Sequence, residues 1–125
     1  MIIDTNALSA IVDGDPAIRP IVQRAPSVEI SVITLGEYRF GILRGSRRAD
    51  AERWLHQYLD LYTILNITDE TARHYAEVRL ALLRAGTPIP SNDLWIAAQG
   101  RQYDLAVLSR DRHFDCVKEI RRVGW

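Results

Sequence analysis

One cysteine, one lysine and no apolar run longer than five residues are the scarcest features of this 125-residue chain. A lone thiol, Cys116, closes no internal disulfide, which excludes a stapled scaffold and fits a cytoplasmic protein. The longest apolar run, Leu94 to Ala98, falls far short of the roughly 20 residues of a membrane span, so no membrane role is expected. No charged segment precedes an apolar stretch at the start, and Asp4 interrupts the first such stretch, so no signal peptide is expected. Net charge is zero, with 16 basic and 16 acidic residues, which argues against indiscriminate electrostatic capture of nucleic acid. Disorder is excluded too, because 47% of residues are hydrophobic and 26% charged, the composition of a globular chain. The length suits one domain spanning residues 1–125.

The bases that are present are nearly all arginine. Arginine binds phosphate and carboxylate bidentately, which suits a nucleic-acid or acidic-peptide partner, although a GC-rich genome gives the same bias. From Arg39 to Arg53, five arginines face only Asp50 and Glu52.

Helical and strand-like segments alternate without linker or repeat. Met1–Ile3 is a short apolar opening, ended by the helix-starting residues Asp4-Thr5-Asn6. Gly14-Asp15-Pro16 breaks the first helical stretch and Pro26 the next. Strands are predicted at Val28–Ser31, Thr63–Ile67, Leu105–Leu108 and Ile120–Val123, and helices at Thr34–Arg44, Asp69–Ala85 and Asn92–Tyr103. Arg48–Tyr62 reads as an amphipathic helix, with Ala51, Trp54, Leu55, Tyr58, Leu59 and Tyr62 on one face. Strands separated by helices imply an α/β fold in which a parallel sheet is covered on both faces.

Four acids sit where solvent does not explain them. Asp4 and Asp111 follow predicted strands, and ligand crevices of open parallel sheets lie at strand carboxyl ends. Either could instead be a helix cap or turn residue. Glu37 lies on a helix that is apolar around most of its circumference, as expected of one packed on two sides. A carboxylate there must be paired, protonated or metal-bound, and Arg44, two turns on, is the candidate partner. Asp93 opens a helix whose next five residues are apolar, where the helix N-terminus alone could account for it. If the four converge, each close pair repels by about 4 kcal/mol at 4 Å and an effective dielectric of 20. A divalent cation removes that cost, and an all-oxygen set favours Mg²⁺ or Mn²⁺ over Zn²⁺.

At these residues the chain resembles the PIN-domain ribonucleases, and within them the VapC toxins of toxin–antitoxin pairs. The matching segments are Asp4-Thr5-Asn6; Ser31-x-x-Thr34-x-x-Glu37-Tyr38 with Phe40-Gly41-Ile42; Pro90-x-x-Asp93-x-x-Ile96-Ala97-Ala98; and Val107-Leu108-Ser109-x-Asp111-x-x-Phe114. The resemblance implies a three-layer α/β/α sandwich with a central, mainly parallel sheet. It also implies a metal-dependent endoribonuclease that leaves a 5′-phosphate and a 3′-hydroxyl. In that reading Asp4, Glu37, Asp93 and Asp111 form the acidic quartet. Asp4 and Asp93 touch the Mg²⁺ or Mn²⁺ ion, Glu37 positions or deprotonates a metal-bound water, and Asp111 completes a second metal site or the water network. Thr5, Asn6 and Ser109 support the acids by hydrogen bonds. A homodimer and a VapB-like antitoxin, whose tail covers the site and places a basic side chain among the acids, are the implied partners. Ser109 stands where threonine is commoner, and Asp115 lies close enough to compete with Asp111 as the fourth acid.

His113 fits either a proton shuttle or a structural turn residue. Trp54, Tyr58 and Tyr62 fit base stacking or, from their helical spacing, core or dimer packing. Arg39, Arg44, Arg47, Arg48 and Arg53 fit an RNA backbone or a solvated face, and Arg44, Arg47 and Arg48 are the substrate-binding candidates. Other phosphoryl-transfer folds lack support. A haloacid-dehalogenase-type phosphatase needs a second aspartate where Asn6 stands, a receiver domain needs a lysine after a late strand whereas the only lysine, Lys118, lies past Asp111, and no GxxxxGK[ST] occurs. The alternative from another class is a non-catalytic PIN-like module that binds RNA or a partner protein.

Overall fold

Ile2–Ile3 (β1) lies at the centre of a five-stranded sheet in the computed structural model, which describes residues Met1–Trp125. Glu29–Ser31 (β2) and Val107–Leu108 (β4) flank it, with Thr63–Leu65 (β3) and Arg122–Val123 (β5) at the two edges. Every pairing is parallel, with Ile3 opposite Ile30 on one side and Leu108 on the other. The sheet is thus wholly rather than mainly parallel.

Six helices cover the sheet: Thr5–Val12 (α1), Arg19–Arg24 (α2), Val32–Arg44 (α3), Arg48–Tyr58 (α4), Asp69–Ala85 (α5) and Ser91–Gln102 (α6). Side chains of successive strand residues point to opposite faces, and this alternation splits the core in two. Ile2 and Val107 pack with Val78, Leu82, Ile96 and Phe114 beneath α5 and α6. Ile3 and Leu108 pack with Leu8, Ile30, Leu35 and Leu55 beneath α1, α3 and α4. Two cores on two faces make the three-layer sandwich. No helix is long and apolar enough to cross a membrane.

Local signals set the boundaries. Thr68 caps α5 in a reciprocal box with Thr71, and Gly86 ends it at φ 71°, where a side chain would be strained. Gly100 lets α6 approach the sheet, because a Cβ there would meet the Leu105 carbonyl oxygen at 3.2 Å.

Two expectations are corrected. The helix predicted to reach Tyr62 ends at Tyr58, and Leu59–Leu61 form a 3-10 turn. That turn keeps Tyr62 beside Trp54, with ring centroids 6.0 Å apart, while swinging the backbone into β3. The apolar spacing is therefore satisfied without a continuous α-helix. Helix α3 also does not bury both sides: Leu35 and Ile42 enter the core, but Phe40 is 59% and Leu43 60% exposed.

Candidate metal centre

The chain order places the site. After β1, β2 and β3 extend the sheet one way, then β4 returns to the other side of β1. Strand order reverses between β1 and β4, and the crevice of such a sheet opens there, beyond the carboxyl ends. Asp4 follows β1 directly, and Ser109 to Asp111 follow β4.

Asp4 is 4% exposed and caps α1, its Oδ1 accepting the Ala7 N–H at 2.7 Å. The Ser109 hydroxyl donates to its Oδ2, while the Ser109 oxygen accepts the Asp111 N–H at 2.8 Å. One hydroxyl thus ties the two strand-end acids together. Burial pushes the Asp4 carboxyl above its ordinary range. The Ser109 and Ala7 hydrogen bonds oppose that rise, and the charges of Asp93 and Asp111 add to it.

Glu37 is held from two sides. The Thr5 hydroxyl on α1 donates to its Oε2 and the Asn92 amide on α6 to its Oε1, both at 2.7 Å. The expected pairing with Arg44 does not form, because that guanidinium lies over the Phe40 ring, 5.4 Å from its centroid. Neutral donors therefore satisfy Glu37 and leave its charge uncompensated.

Asp93, in the first turn of α6, has a side chain 18% exposed. Burial raises its pKa first of all. A hydrogen bond from His113 opposes this, and the Asp111 and Glu37 charges reinforce it. Asp111 caps the 3-10 turn Arg112–Cys116, its Oδ1 accepting the His113 N–H at 2.9 Å. That turn folds the imidazole back, with Nδ1 3.0 Å from Asp111 Oδ1 and 3.3 Å from Asp93 Oδ2. One ligand atom each from Asp93, Asp111 and His113 lies within 4.8 Å of the others.

The structure separates the two candidates for the fourth acid. Asp115 turns away into a bidentate pair with Arg122, at 2.7 and 3.1 Å, which holds its carboxyl below the usual range. Asn6 also departs from expectation, since it is exposed on α1 and bonds none of the acids. Arg47 and Arg48, paired with Asp13 and Glu52, line a cleft of about 340 Å³ that reaches Thr5 and Glu37; Arg44 lies outside it.

Two residues of the site carry weak sequence signals. Asn92 has none beyond its place before Asp93, because only the fold brings α6 against α3. His113 stands two residues past Asp111, and only the capping geometry turns it inward.

No arginine or lysine pairs with Asp4, Glu37, Asp93 or Asp111. Converging carboxylates, two of which (Asp4 and Asp93) burial holds above the ordinary range, with no arginine or lysine partner, are a donor set that suits a divalent cation. The residues therefore fit a metal ion.

Residues 1–120 match the family described as PIN domain. The chain is 33% identical over 119 residues to Ribonuclease VapC5 of Mycobacterium tuberculosis, covering 90% of this chain and 84% of that one. In three dimensions it is similar to DNA-bound VapBC from Salmonella typhimurium, with a TM-score of 0.87, 25% identity, and 99% and 96% of the two chains covered. It is likewise similar to VapBC-5 from Mycobacterium tuberculosis, with a TM-score of 0.79, 28% identity, and 99% and 97% covered. The family match across nearly the whole chain, with the site lying inside it, shows that this protein belongs to the PIN-domain family.

Proposed function

We propose that this protein is a divalent-metal-dependent endoribonuclease and the toxin of a toxin–antitoxin pair, acting in the cytoplasm. The observation that carries the reading is the convergence of Asp4, Asp93 and Asp111, with Glu37 beside them and no arginine or lysine among them. A pure binding surface gains nothing from that repulsion. The names of the relatives, ribonucleases VapC, agree with the reading.

Asp4, Asp93 and Asp111 would hold Mg²⁺ or Mn²⁺, which supplies charge stabilisation during phosphoryl transfer and activation of water. Ser109 fixes the Asp4 carboxylate, and Asp111 is fixed by its own cap. Glu37, immobilised by Thr5 and Asn92, accepts the proton of the attacking water. Hydrolysis breaks the bond between phosphorus and the 3′-oxygen, giving a 5′-phosphate and a 3′-hydroxyl. Arg47 and Arg48 lie along the cleft that leads to Glu37 and would follow the RNA backbone. If the salt dependence of RNA binding survives their joint replacement by Gln, that assignment fails.

Partners follow from what is left uncovered. Phe40 and Leu43 on α3, and Leu80 and Leu83 on α5, are exposed apolar pairs at i, i+3 spacing. They suit a homodimer and a VapB-like antitoxin, and the similar structures are VapBC assemblies.

The test is a calorimetric Mn²⁺ titration of the antitoxin-free protein beside Asp4→Asn and Asp93→Asn, followed by RNA cleavage. Binding by the wild type and its loss in both folded variants supports the nuclease. No binding, or equal binding by the variants, makes the cluster structural and returns the protein to a module that binds RNA or protein without cutting.

A further inference from the structure

We propose that His113 is a nitrogen ligand of the ion held by Asp93 and Asp111, and that it tilts the site towards Mn²⁺ over Mg²⁺. The proposal rests on the metal-nuclease reading and sharpens it. An all-oxygen donor set, the sequence-based expectation, does not describe this crevice, because an imidazole is built into it.

The placement of His113 is specified twice. Its backbone N–H is fixed by the Asp111 cap, and its Nδ1 then faces one oxygen of each of two aspartates. The Nδ1–oxygen distances, 3.0 and 3.3 Å, match neighbouring corners of a coordination octahedron. Bonds of about 2.1 Å at right angles put adjacent ligand atoms about 3.0 Å apart. The third edge, between the Asp93 and Asp111 oxygens, lies within 4.8 Å, and an ion seated on the three atoms would draw the two aspartates together. The other ring nitrogen, Nε2, has no protein partner and the side chain is 48% exposed, so when Nδ1 exchanges its hydrogen bond to Asp93 for the ion, Nε2 can carry the N–H into water. A ligating imidazole needs this arrangement, with one nitrogen on the metal and the other N–H solvated or bonded.

The remaining acids direct the ion to the same place. Both oxygens of Asp4 already accept hydrogen bonds, from Ala7 and Ser109, and both oxygens of Glu37 accept them from Thr5 and Asn92. Asp93 and Asp111 differ in that each hydrogen-bonds only to His113, through one oxygen, and keeps a second oxygen with no protein partner. Asp4 closes the site with a remaining lone pair and its charge.

Ion choice follows from donor softness. Mg²⁺ prefers carboxylate and water oxygens and keeps most of its hydration shell, whereas imidazole raises the relative affinity for first-row transition ions. His113 is thus a specificity-determining ligand, separate from the acids that bind either ion.

The experiment uses the full chain as wild type, His113→Gln, His113→Ala and Asp93→Asn, titrated by calorimetry with Mn²⁺ and with Mg²⁺. Pulsed electron paramagnetic resonance of the bound Mn²⁺ is recorded in a buffer free of nitrogen ligands. His113→Gln leaves the backbone cap intact, and circular dichroism confirms folding. The wild type should show nitrogen hyperfine coupling that both His113 variants lack. Mn²⁺ affinity in those variants should fall by about tenfold or more while Mg²⁺ affinity changes by less than about threefold. Wild-type Mn²⁺ bound without nitrogen coupling, or an unchanged Mn²⁺-to-Mg²⁺ affinity ratio in both variants, overturns the ligand role and leaves the metal site standing. Absence of Mn²⁺ binding, or binding undiminished in Asp93→Asn, overturns the metal-nuclease reading and this proposal together.

Discussion

Replacing Asp93 by Asn should stabilise the metal-free protein near neutral pH while abolishing its stabilisation by Mn²⁺. Asp93 and Asp111 offer oxygens within 4.8 Å of each other. Two full charges at that separation repel by roughly 3.5 kcal/mol at an effective dielectric of about 20. Asp93 is 18% and Asp111 32% exposed, and solvent and the neighbouring His113 screen much of this. About 1 kcal/mol is a reasonable remainder, or about 3–5 °C in Tm for a chain of this size.

The sign follows from burial, which raises the folded-state pKa of Asp93 above the ordinary 3.8. The folded protein therefore holds that proton to higher pH than the unfolded chain does. Its contribution to stability is fully present below the unfolded value and is lost as pH rises through the folded value. The variant has no proton to lose there, so its advantage opens above the raised pKa and closes in acid. An ion at a hundred times its Kd adds about 2.7 kcal/mol, or about 8–13 °C, to the wild type alone. Calorimetric melting of both proteins in chelator and in Mn²⁺, near neutral pH and in acid, measures all these differences. A variant that melts below wild type in chelator yet gains as much from Mn²⁺ would refute the electrostatic account of the site.

Asn92→Ala removes one of the two donors on Glu37 and should lower kcat/KM by about 10–100-fold, read on an RNA that the wild type cuts, with little change in Tm. Asp111→Asn should abolish RNA cleavage, whereas Asp115→Asn, which loses only an exposed pair with Arg122, should leave it within about twofold. If the exposed face of α3 carries the proposed homodimer contact, Phe40→Arg should shift sedimentation from dimer to monomer at unchanged Tm, since Phe40 supports no core of its own chain.

The helices were legible wherever caps and periodicity agreed. Asp69–Ala85 is delimited by Thr68 on one side and Gly86 on the other, and both boundaries fall where the residues put them. The end of α4 was not legible, because a 3-10 turn at Leu59–Leu61 presents the same side chains to the core as another helical turn would. Strand edges suffered similarly, since Leu105 and Ala106 continue the apolar run although β4 itself is only Val107–Leu108. At the site, Asp4 and Asp111 were legible because strand ends mark a crevice. Of the partners of Glu37, Thr5 was among the supporting residues that the resemblance implied, whereas Asn92 was not legible, since it lies 55 residues away in sequence and only tertiary packing joins the two. His113 was half legible: two residues past a capping aspartate is a turn position, but its direction depends on where α6 carries Asp93.

The arrangement separates holding the acids in place from neutralising them. Ser109, Ala7, Thr5 and Asn92 orient the carboxylates with neutral donors, which fix geometry but leave the negative charge intact. An arginine paired with these carboxylates would instead neutralise the charge that a metal ion needs. Leaving the charge unpaired makes the folded protein less stable than it could be, and it makes the crevice selective for whatever brings positive charge. A divalent ion does so within the protein's own donor set, and the basic side chain of an antitoxin tail would do so from outside. Both address the same deficit between β1 and β4, so on the proposed reading activation and inhibition draw on one electrostatic feature. The strand order that opens the crevice and the lack of arginine and lysine partners for its acids are thus two parts of a single device.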